Sequence, residues 1–277
     1  MSAFVLENIL EQARQLEIYA KKIYETQLSG IYKSVFKGSG QIFKEIRPYV
    51  VGDDLRRLDH KVTARLGKPF LRLYEEEREV SVWLAVDVSR SMQFGLKQTQ
   101  RELAQKLTAV LAYAAIAGHD RCGLILFSDK VLKVIPPEKS KSQLLRIIET
   151  LLSQECAGQT SLTETCHFVL RTIKKKCLLF LISDFNVAEN DLALLKTLDL
   201  RYEFLPIVVS GFGELNVKKR YWFNDLESNK SYLMKPQQTQ NLDLFFKKIN
   251  LPYLALRTRD DYLPLLSEFL NQHAFRK

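Results

Sequence analysis

Residues 82–92 read Val-Trp-Leu-Ala-Val-Asp-Val-Ser-Arg-Ser-Met, and this stretch decides the fold. An apolar run typical of a buried strand ends on Asp87 and gives way to two hydroxyl side chains at alternate positions, Ser89 and Ser91. Residues 177–184, Cys-Leu-Leu-Phe-Leu-Ile-Ser-Asp, have the same form and end on Asp184. Because parallel strands of one sheet end at a shared edge, these polar residues are predicted to meet where open α/β sheets bind ligands.

Strands and helices alternate through the rest of the chain after residue 79. Such alternation predicts an α/β fold: a doubly wound, mainly parallel, Rossmann-like sheet covered on both faces. The run 131–135 is instead predicted to be an antiparallel edge strand that ends at Pro136-Pro137. The other predicted strands are 80–88, 122–127, 178–182, 203–209 and 253–256, and the predicted helices are 98–117, 142–152, 162–175 and 191–198.

The first 79 residues have a different character. Apolar residues recur at helical spacing in 3–28, which predicts an amphipathic N-terminal helix. The sequence leaves open whether this helix packs on the sheet or reaches another protein. Residues 29–79 are rich in Gly, Arg and Asp, with short β-like runs, and predict an irregular segment before the first core strand. We therefore divide the chain into 1–79 and an α/β domain at 80–277.

Composition narrows the functional class. The 277 residues carry a net charge of +9, from 41 basic and 32 acidic side chains, but the basic residues are scattered. This pattern favours a solvated basic surface over a nucleic-acid site, so no nucleic-acid partner is expected. A membrane-spanning helix needs about 20 consecutive apolar residues, and the sequence contains no such stretch, so no membrane span is predicted. The four cysteines lack metal-ligand spacing and are expected to be reduced thiols of a cytoplasmic protein.

A third segment, Gly158-Gln-Thr160, supplies another hydroxyl in a loop before a predicted helix. Two carboxylates and three hydroxyls make an all-oxygen site, which suits Mg²⁺ or Mn²⁺ and suits Zn²⁺ poorly. The simpler interpretation is that the serines cap a helix and the aspartate ends a strand. The set resembles the metal-ion-dependent adhesion site of von Willebrand factor A domains. All five positions of that pattern match, at Asp87, Ser89, Ser91, Thr160 and Asp184.

That resemblance implies a cation with an open coordination position at the top of the sheet. The residues next to the ligands in sequence are then expected to ring it and to contact a partner. Met92 and Phe185 are predicted to be apolar contacts of this rim. The full predicted rim is Arg90, Met92, Gln93, Gln159 and Phe185.

Residues 38–77 contain a second signature: Gly52-Asp53-Asp54, Arg56, Leu58-Asp59-His60 and Ala64-Arg65. It resembles that of a bacterial and archaeal family catalogued as domain of unknown function fifty-eight. Members of that family carry a von Willebrand A-like domain and are commonly encoded beside MoxR-type AAA ATPases. His60 stands where the family usually has Trp, so the packing of that aromatic is altered here.

The charged residues of this segment admit two interpretations. Arginine can form bidentate ion pairs with aspartate that fix an irregular loop. Alternatively, an aspartate could act as general acid or base, with His60 as a proton shuttle. We favour the structural network, whose predicted members are Arg47, Asp53, Asp54, Arg56, Asp59 and Arg65.

Three functions follow from these features. The first is a metal-dependent protein–protein interaction module, without enzymatic activity, that serves a MoxR-type ATPase and its client proteins as adaptor or co-chaperone. The second is a metal-dependent hydrolase or phosphotransferase on a Rossmann-like sheet. The third is a nucleic-acid binder, which rests on net charge alone. Oligomeric state does not follow from the sequence.

Overall fold

The computed structural model describes residues 3–32, 42–75, 81–95, 98–186, 191–211, 221–225, 230–234 and 239–274. The helices in chain order are α1 (Ala3–Ile23), α2 (Ser29–Tyr32), α3 (His60–Leu66), α4 (Gln100–Ala117), α5 (Lys141–Ser153), α6 (Leu162–Thr172), α7 (Asp191–Arg201), α8 (Thr239–Lys248) and α9 (Tyr262–Ala274). The strands are β1 (Ile42–Pro48), β2 (Phe70–Glu75), β3 (Ser81–Asp87), β4 (Arg121–Phe127), β5 (Val131–Glu138), β6 (Leu178–Ser183), β7 (Glu203–Ser210), β8 (Tyr221–Asp225), β9 (Lys230–Met234) and β10 (Leu254–Arg257). A π-helical turn, Tyr24–Leu28, joins α1 to α2.

The central sheet has the strand order β10-β7-β6-β3-β4-β5. Neighbouring strands from β10 to β4 are parallel, and β5 alone pairs antiparallel with β4. Helices link the parallel strands, as the alternating sequence pattern requires. The prediction of a mainly parallel α/β fold is confirmed.

The predicted end of the edge strand is wrong. The edge strand was expected to end before Pro136, but β5 continues through both prolines to Glu138. Proline has no backbone N–H to donate, and it is tolerated in edge strands because only one side of the strand must pair. β5 pairs with β4 alone, so the two prolines do not interrupt the sheet.

Each face of the sheet is covered by helices, because successive side chains of a buried strand point to opposite faces. In β3, Val82, Leu84 and Val86 belong to a hydrophobic cluster that includes residues of α1, α4, α5 and α9. Trp83 and Ala85 belong to a second cluster with residues of α6, α7 and α8. β3 is therefore buried on both sides and fixed at the centre of the fold.

The N-terminal helix is part of this core. α1 contacts α4 and α5, and Ala13 and Ala20 are buried at that contact. Just after α1 and the π-helical turn, the buried Tyr32 donates a hydrogen bond of 3.0 Å from its hydroxyl to Asp120 Oδ2. A Cβ atom on Gly118 would lie 2.6 Å from the Tyr32 ring, so only glycine fits beside it. The helix thus packs with the sheet domain, and the division at residue 79 stays a prediction.

Residues 42–75 form a separate unit that we call the arm. β1 and β2 pair as an antiparallel hairpin, and α3 lies between them in sequence. Leu71 is buried, and no side chain of the arm that the structure describes belongs to either of the two main hydrophobic clusters. Among the described residues, no helix has both the length and the apolarity needed to cross a membrane.

The predicted ionic network of the arm is only partly an ion-pair network. Arg47 binds Asp53 through two nitrogen–oxygen contacts of 2.8 and 2.7 Å. Asp54 instead accepts a hydrogen bond from the Arg56 backbone N–H, at 3.0 Å. Asp59 caps α3 by accepting from the backbone N–H groups of residues 61 and 62. For Arg56 and Arg65 the structure corrects the prediction: both are exposed and make no ion pair with a described residue. Asp54 and Asp59 accept hydrogen bonds from backbone N–H groups, and neither forms an ion pair with Arg56 or Arg65.

The exposed His60 is the first residue of α3. A histidine at this position faces water, whereas the tryptophan typical of the family would bring a large apolar surface there. The proton-shuttle interpretation gains no support from this placement, because the nearby Asp59 carboxylate is used as a helix cap.

Replacing Tyr32 by Phe is expected to destabilise the protein by about 1–3 kcal/mol, because Asp120 is buried and loses a hydrogen-bond donor. Urea denaturation would measure the change. Tyr113→Phe is the matched control, since the Tyr113 hydroxyl forms no hydrogen bond with a described residue. Equal effects of the two substitutions would contradict the anchoring role assigned to Tyr32.

Candidate metal centre

The candidate site lies at the topological switch point of the sheet. β3 and β6 are neighbours, and the chain leaves β3 for β4 on one side and leaves β6 for β7 on the other. The crevice between their carboxyl ends is the position at which open α/β sheets bind ligands. Asp87 is the last residue of β3 and Ser183 the last residue of β6, so both stand at this crevice.

Asp87 is held from both sides. Its side chain is buried, with 1% of the residue surface exposed. Oδ1 accepts a hydrogen bond of 2.8 Å from the Ser89 backbone N–H, and Oδ2 accepts one of 2.6 Å from the Ser183 hydroxyl. The Ser183 oxygen in turn accepts from the Phe185 N–H at 3.0 Å. Asp87 therefore bridges two adjacent strands.

Ser183 is a site residue that the sequence analysis did not assign. It is fully buried and orients Asp87. The available signal was its position: a lone hydroxyl at the end of an otherwise apolar strand, directly before Asp184. A hydroxyl buried there needs a hydrogen-bond partner, and a neighbouring strand end is the nearest source of one.

The three predicted hydroxyl ligands meet in a compact triangle. Ser89 Oγ lies 3.0 Å from Ser91 Oγ and 2.8 Å from Thr160 Oγ1, and Ser91 Oγ lies 3.5 Å from Thr160 Oγ1. Adjacent oxygens in an octahedral Mg²⁺ shell with bonds of about 2.1 Å lie about 3.0 Å apart. The spacing of the hydroxyls thus fits one face of such a shell.

Thr160 reaches this triangle because its loop is fastened to its neighbours. The Ala157 N–H donates to the Val88 carbonyl at 3.0 Å, and the Arg90 N–H donates to the Gly158 carbonyl at 3.2 Å. Gly158 has a φ of 75°. A Cβ atom at this position would come within 2.6 Å of Asp129 Oδ1, so glycine permits both the backbone conformation and the close approach.

Asp184 completes the set. It is half-buried and accepts a hydrogen bond from the Ser91 side chain. Burial raises the pKa of Asp184. Burial, followed by the charge of Asp184, also raises the pKa of Asp87 to about 7. Two carboxylates in one desolvated crevice repel each other, and a bound cation would relieve that repulsion.

The structure therefore brings all five predicted metal ligands to one edge of the sheet. Their oxygens fit a hard divalent cation in number and chemistry, and the three hydroxyl oxygens also fit it in spacing. Across the ranges that the structure describes, no group of three or more His, Cys, Asp or Glu side chains could hold a metal ion. The candidate centre instead combines two carboxylates with hydroxyl oxygens.

The rim differs from the prediction at its two apolar members. Met92 and Phe185 are buried, with 0% and 2% of their surfaces exposed, so neither can contact a partner directly. Phe185 has a φ of 51°, and its ring packs on that of Phe246 with the centroids 5.4 Å apart. Met92 lies in the short 3₁₀ turn Arg90–Gln93 and faces the main core cluster. The polar members Arg90, Gln93 and Gln159 are exposed.

Comparison with known sequences identifies relatives of unknown function. The family model described as "Protein of unknown function DUF58" matches residues 45–243. An uncharacterized protein of Mycobacterium bovis is 29% identical over 200 residues, which cover 71% of this chain and 63% of the relative. An uncharacterized protein of Mycobacterium tuberculosis matches with the same identity and coverage. The chain thus spans less than two thirds of the length of these curated relatives.

Solved structures show the fold class. The conserved hypothetical protein BatB from Bacteroides thetaiotaomicron superposes with a TM-score of 0.50 at 15% identity, covering 71% of this chain and 99% of that one. The von Willebrand A domain of SpRpn10 has a TM-score of 0.42 at 12% identity, covering 70% and 95%. The central sheet and its helices therefore share the α/β fold of the BatB structure.

In the absence of divalent metal, Asp87→Asn is expected to stabilise the protein increasingly as pH rises. The folded protein raises the pKa of Asp87 from 3.8 to about 7, so between these values the folded state holds more protons than the unfolded state. Wild-type stability from this group is therefore present at low pH and lost as pH rises through this window. Because asparagine does not ionise, the Asp87→Asn protein does not lose this stability as pH rises.

Denaturation in chelator across this pH range would measure the difference. Asp129→Asn is the control. The Ser128 hydroxyl lowers the pKa of Asp129, so this carboxylate is ionised in both folded and unfolded states through most of the range. Its replacement should therefore shift stability by an amount that varies little with pH. A stability difference between Asp87→Asn and wild type that does not change with pH would contradict the raised pKa that burial and the Asp184 charge give Asp87.

Proposed function

The chain belongs to the DUF58 family, and we propose that it is a metal-dependent protein-interaction module rather than an enzyme. The observation that carries this proposal is the convergence of five oxygen-bearing side chains at the switch point of a von Willebrand A-like sheet. Domains with this fold commonly serve as interaction modules. The half-buried Ser91, Thr160 and Asp184 reach the surface, so the site is open to a partner.

The five residues would hold one Mg²⁺ or Mn²⁺ between them. Such a cation, when bound, supplies an open coordination position that a carboxylate from another protein can occupy. Asp87 is positioned by Ser183 and by the Ser89 N–H, so its oxygens do not need to reorganise. The hydroxyls of Ser89 and Thr160 are held by each other at 2.8 Å. This preorganisation lowers the cost of assembling the site.

The surroundings of the centre suit an acidic partner. Arg90, Gln93 and Gln159 are exposed beside the ligands and offer a cation and two amides to an approaching carboxylate-bearing surface. Met92 and Phe185 are buried in the hydrophobic core and do not share this exposed surface. We assign the contact with the partner to the polar rim.

We assign the partner by family resemblance. Members of this family are commonly encoded beside MoxR-type AAA ATPases, so we propose such an ATPase, or a client that it remodels, as the protein that docks at the centre. This chain would then act in the cytoplasm as an adaptor or co-chaperone in the assembly of other protein complexes.

The purified chain is expected to bind one Mg²⁺ or Mn²⁺ with modest affinity, because a site that retains water makes fewer protein contacts. Isothermal titration calorimetry would measure uptake. Asp87→Ala and Ser89→Ala should each abolish or strongly weaken it. Ser142→Ala removes an exposed hydroxyl on α5 and should have no effect. Equal uptake by wild type and Asp87→Ala would count decisively against the centre.

A complex with a MoxR-type ATPase is expected to need the metal. Ser89→Ala and Asp184→Ala should weaken the complex by about tenfold or more, since a buried charge contact within an interface costs several kcal/mol to lose. Chelation should dissociate the complex, and added Mg²⁺ should restore it. Size-exclusion chromatography of the two purified proteins would measure this, with circular dichroism to establish that each variant is folded. Formation of an equal complex in chelator and with the Asp87→Ala chain would exclude the centre as the docking site.

A further inference from the structure

The arm exposes aliphatic side chains that nothing in the described structure covers. Val50, Val51, Leu55 and Leu66 have 60%, 93%, 61% and 57% of their surfaces exposed. α3, which carries Leu66, contains no buried residue. Single exposed apolar residues are ordinary, but several in one small unit mark a surface that contacts something apolar.

These residues lie at one end of the arm. The Tyr49 N–H donates to the Pro69 carbonyl at 2.9 Å, which places the turn at 49–54 beside the connection from α3 to β2. Within the turn, the Asp53 N–H donates to the Val50 carbonyl at 3.1 Å. The left-handed Gly67 ends α3 next to Leu66 and directs the chain back toward β2. We call this surface the apolar end of the arm; it comprises Val50, Val51, Leu55 and Leu66.

Exposed basic side chains flank the residues of the apolar end. Arg56, Lys61, Arg65 and Lys68 are exposed and make no ion pair with any residue that the structure describes. Lys61 and Arg65 are four residues apart and share one face of α3. The acidic groups of the same segment are engaged elsewhere: Arg47 binds Asp53, while Asp54 and Asp59 accept from backbone N–H groups. Among the side chains that the structure describes at this end, the exposed charges are therefore mainly basic.

We propose that the apolar end of the arm binds the surface of an anionic phospholipid bilayer. Val50 and Val51 enter the headgroup layer at the tip of the turn, and Arg56, Lys61, Arg65 and Lys68 contact lipid phosphates. The half-buried Tyr49 beside the turn has the amphipathic character of residues at membrane interfaces.

Charge complementarity favours lipid phosphate as the occupant. Basic side chains close to an anionic leaflet each strengthen binding, by about fivefold per residue. Four such residues with a few aliphatic contacts give reversible, salt-sensitive attachment, in line with surfaces that lie on a membrane without spanning it. This attachment uses none of the five metal ligands and does not depend on the proposed function of the metal centre.

Sedimentation of the full chain with phospholipid vesicles tests the proposal. In chelator and at low salt, the chain should bind vesicles of equal parts phosphatidylcholine and phosphatidylglycerol. It should not bind vesicles of phosphatidylcholine alone, and high salt should release it. The Asp87→Ala chain should bind as wild type does, which separates this result from any failure of the metal centre.

Matched variants locate the contact. Arg65→Gln with Lys68→Gln should weaken binding by roughly thirtyfold, and Val50→Ser with Val51→Ser should weaken it by about tenfold. Lys175→Gln with Lys176→Gln removes two exposed cations elsewhere, and Leu200→Ser removes an aliphatic side chain with 78% exposure on α7. Both control variants should bind as wild type.

Two results would overturn the proposal. One is no sedimentation with the anionic vesicles at low salt. The other is an equal loss of binding in the arm variants and the Lys175/Lys176 control, which would assign the attraction to the net charge of +9 alone. Circular dichroism of each variant excludes unfolding as the cause of a loss.

Discussion

The carboxylate of Asp87, buried between two central strands, is the constraint on which the upper edge of the sheet depends. A charge in that position needs hydrogen bonds or a counter-ion. Ser183 and the Ser89 N–H provide hydrogen bonds, yet burial and the nearby Asp184 still raise the pKa of Asp87 to about 7. The hydrogen bonds within the protein therefore do not fully compensate the negative charge of the Asp87 carboxylate. A bound divalent cation, as proposed, would compensate the remainder.

The same constraint explains why distant segments meet here. The loop after β3 carries Ser89 and Ser91, and the loop before α6 carries Thr160. Backbone hydrogen bonds from Ala157 and Arg90 tie these loops together, and Gly158 allows their close approach. Because main-chain hydrogen bonds hold the loops, the fold itself positions the hydroxyl triangle. A site prepared in this way spends little binding energy on ordering its own residues.

Features of this region that depend on local sequence patterns are predicted well. The orientation of side chains that depends on tertiary burial is predicted less well. The apolar runs that end on Asp87 and Asp184 are enough to predict the two strands and the edge of the sheet at which the polar residues meet. The burial of Met92 and Phe185 depends instead on a 3₁₀ turn and a left-handed residue, which turn both side chains inward. Likewise, Ser183 acts through a neighbouring strand that is distant in sequence. Such effects belong to tertiary packing, which the linear pattern does not encode directly.

The arm and the candidate metal centre use their carboxylates differently. The arm uses its aspartates internally, as an ion-pair partner and as caps, and leaves its arginines and lysines facing water. The centre gathers two carboxylates, and under the proposed function it would attract an anion only with a cation bound. An isolated two-stranded hairpin is marginally stable in water, and the internal use of aspartate fits the stabilisation that such a unit needs. Under the two proposals, the attraction of the arm for anions is permanent, whereas that of the centre depends on bound metal.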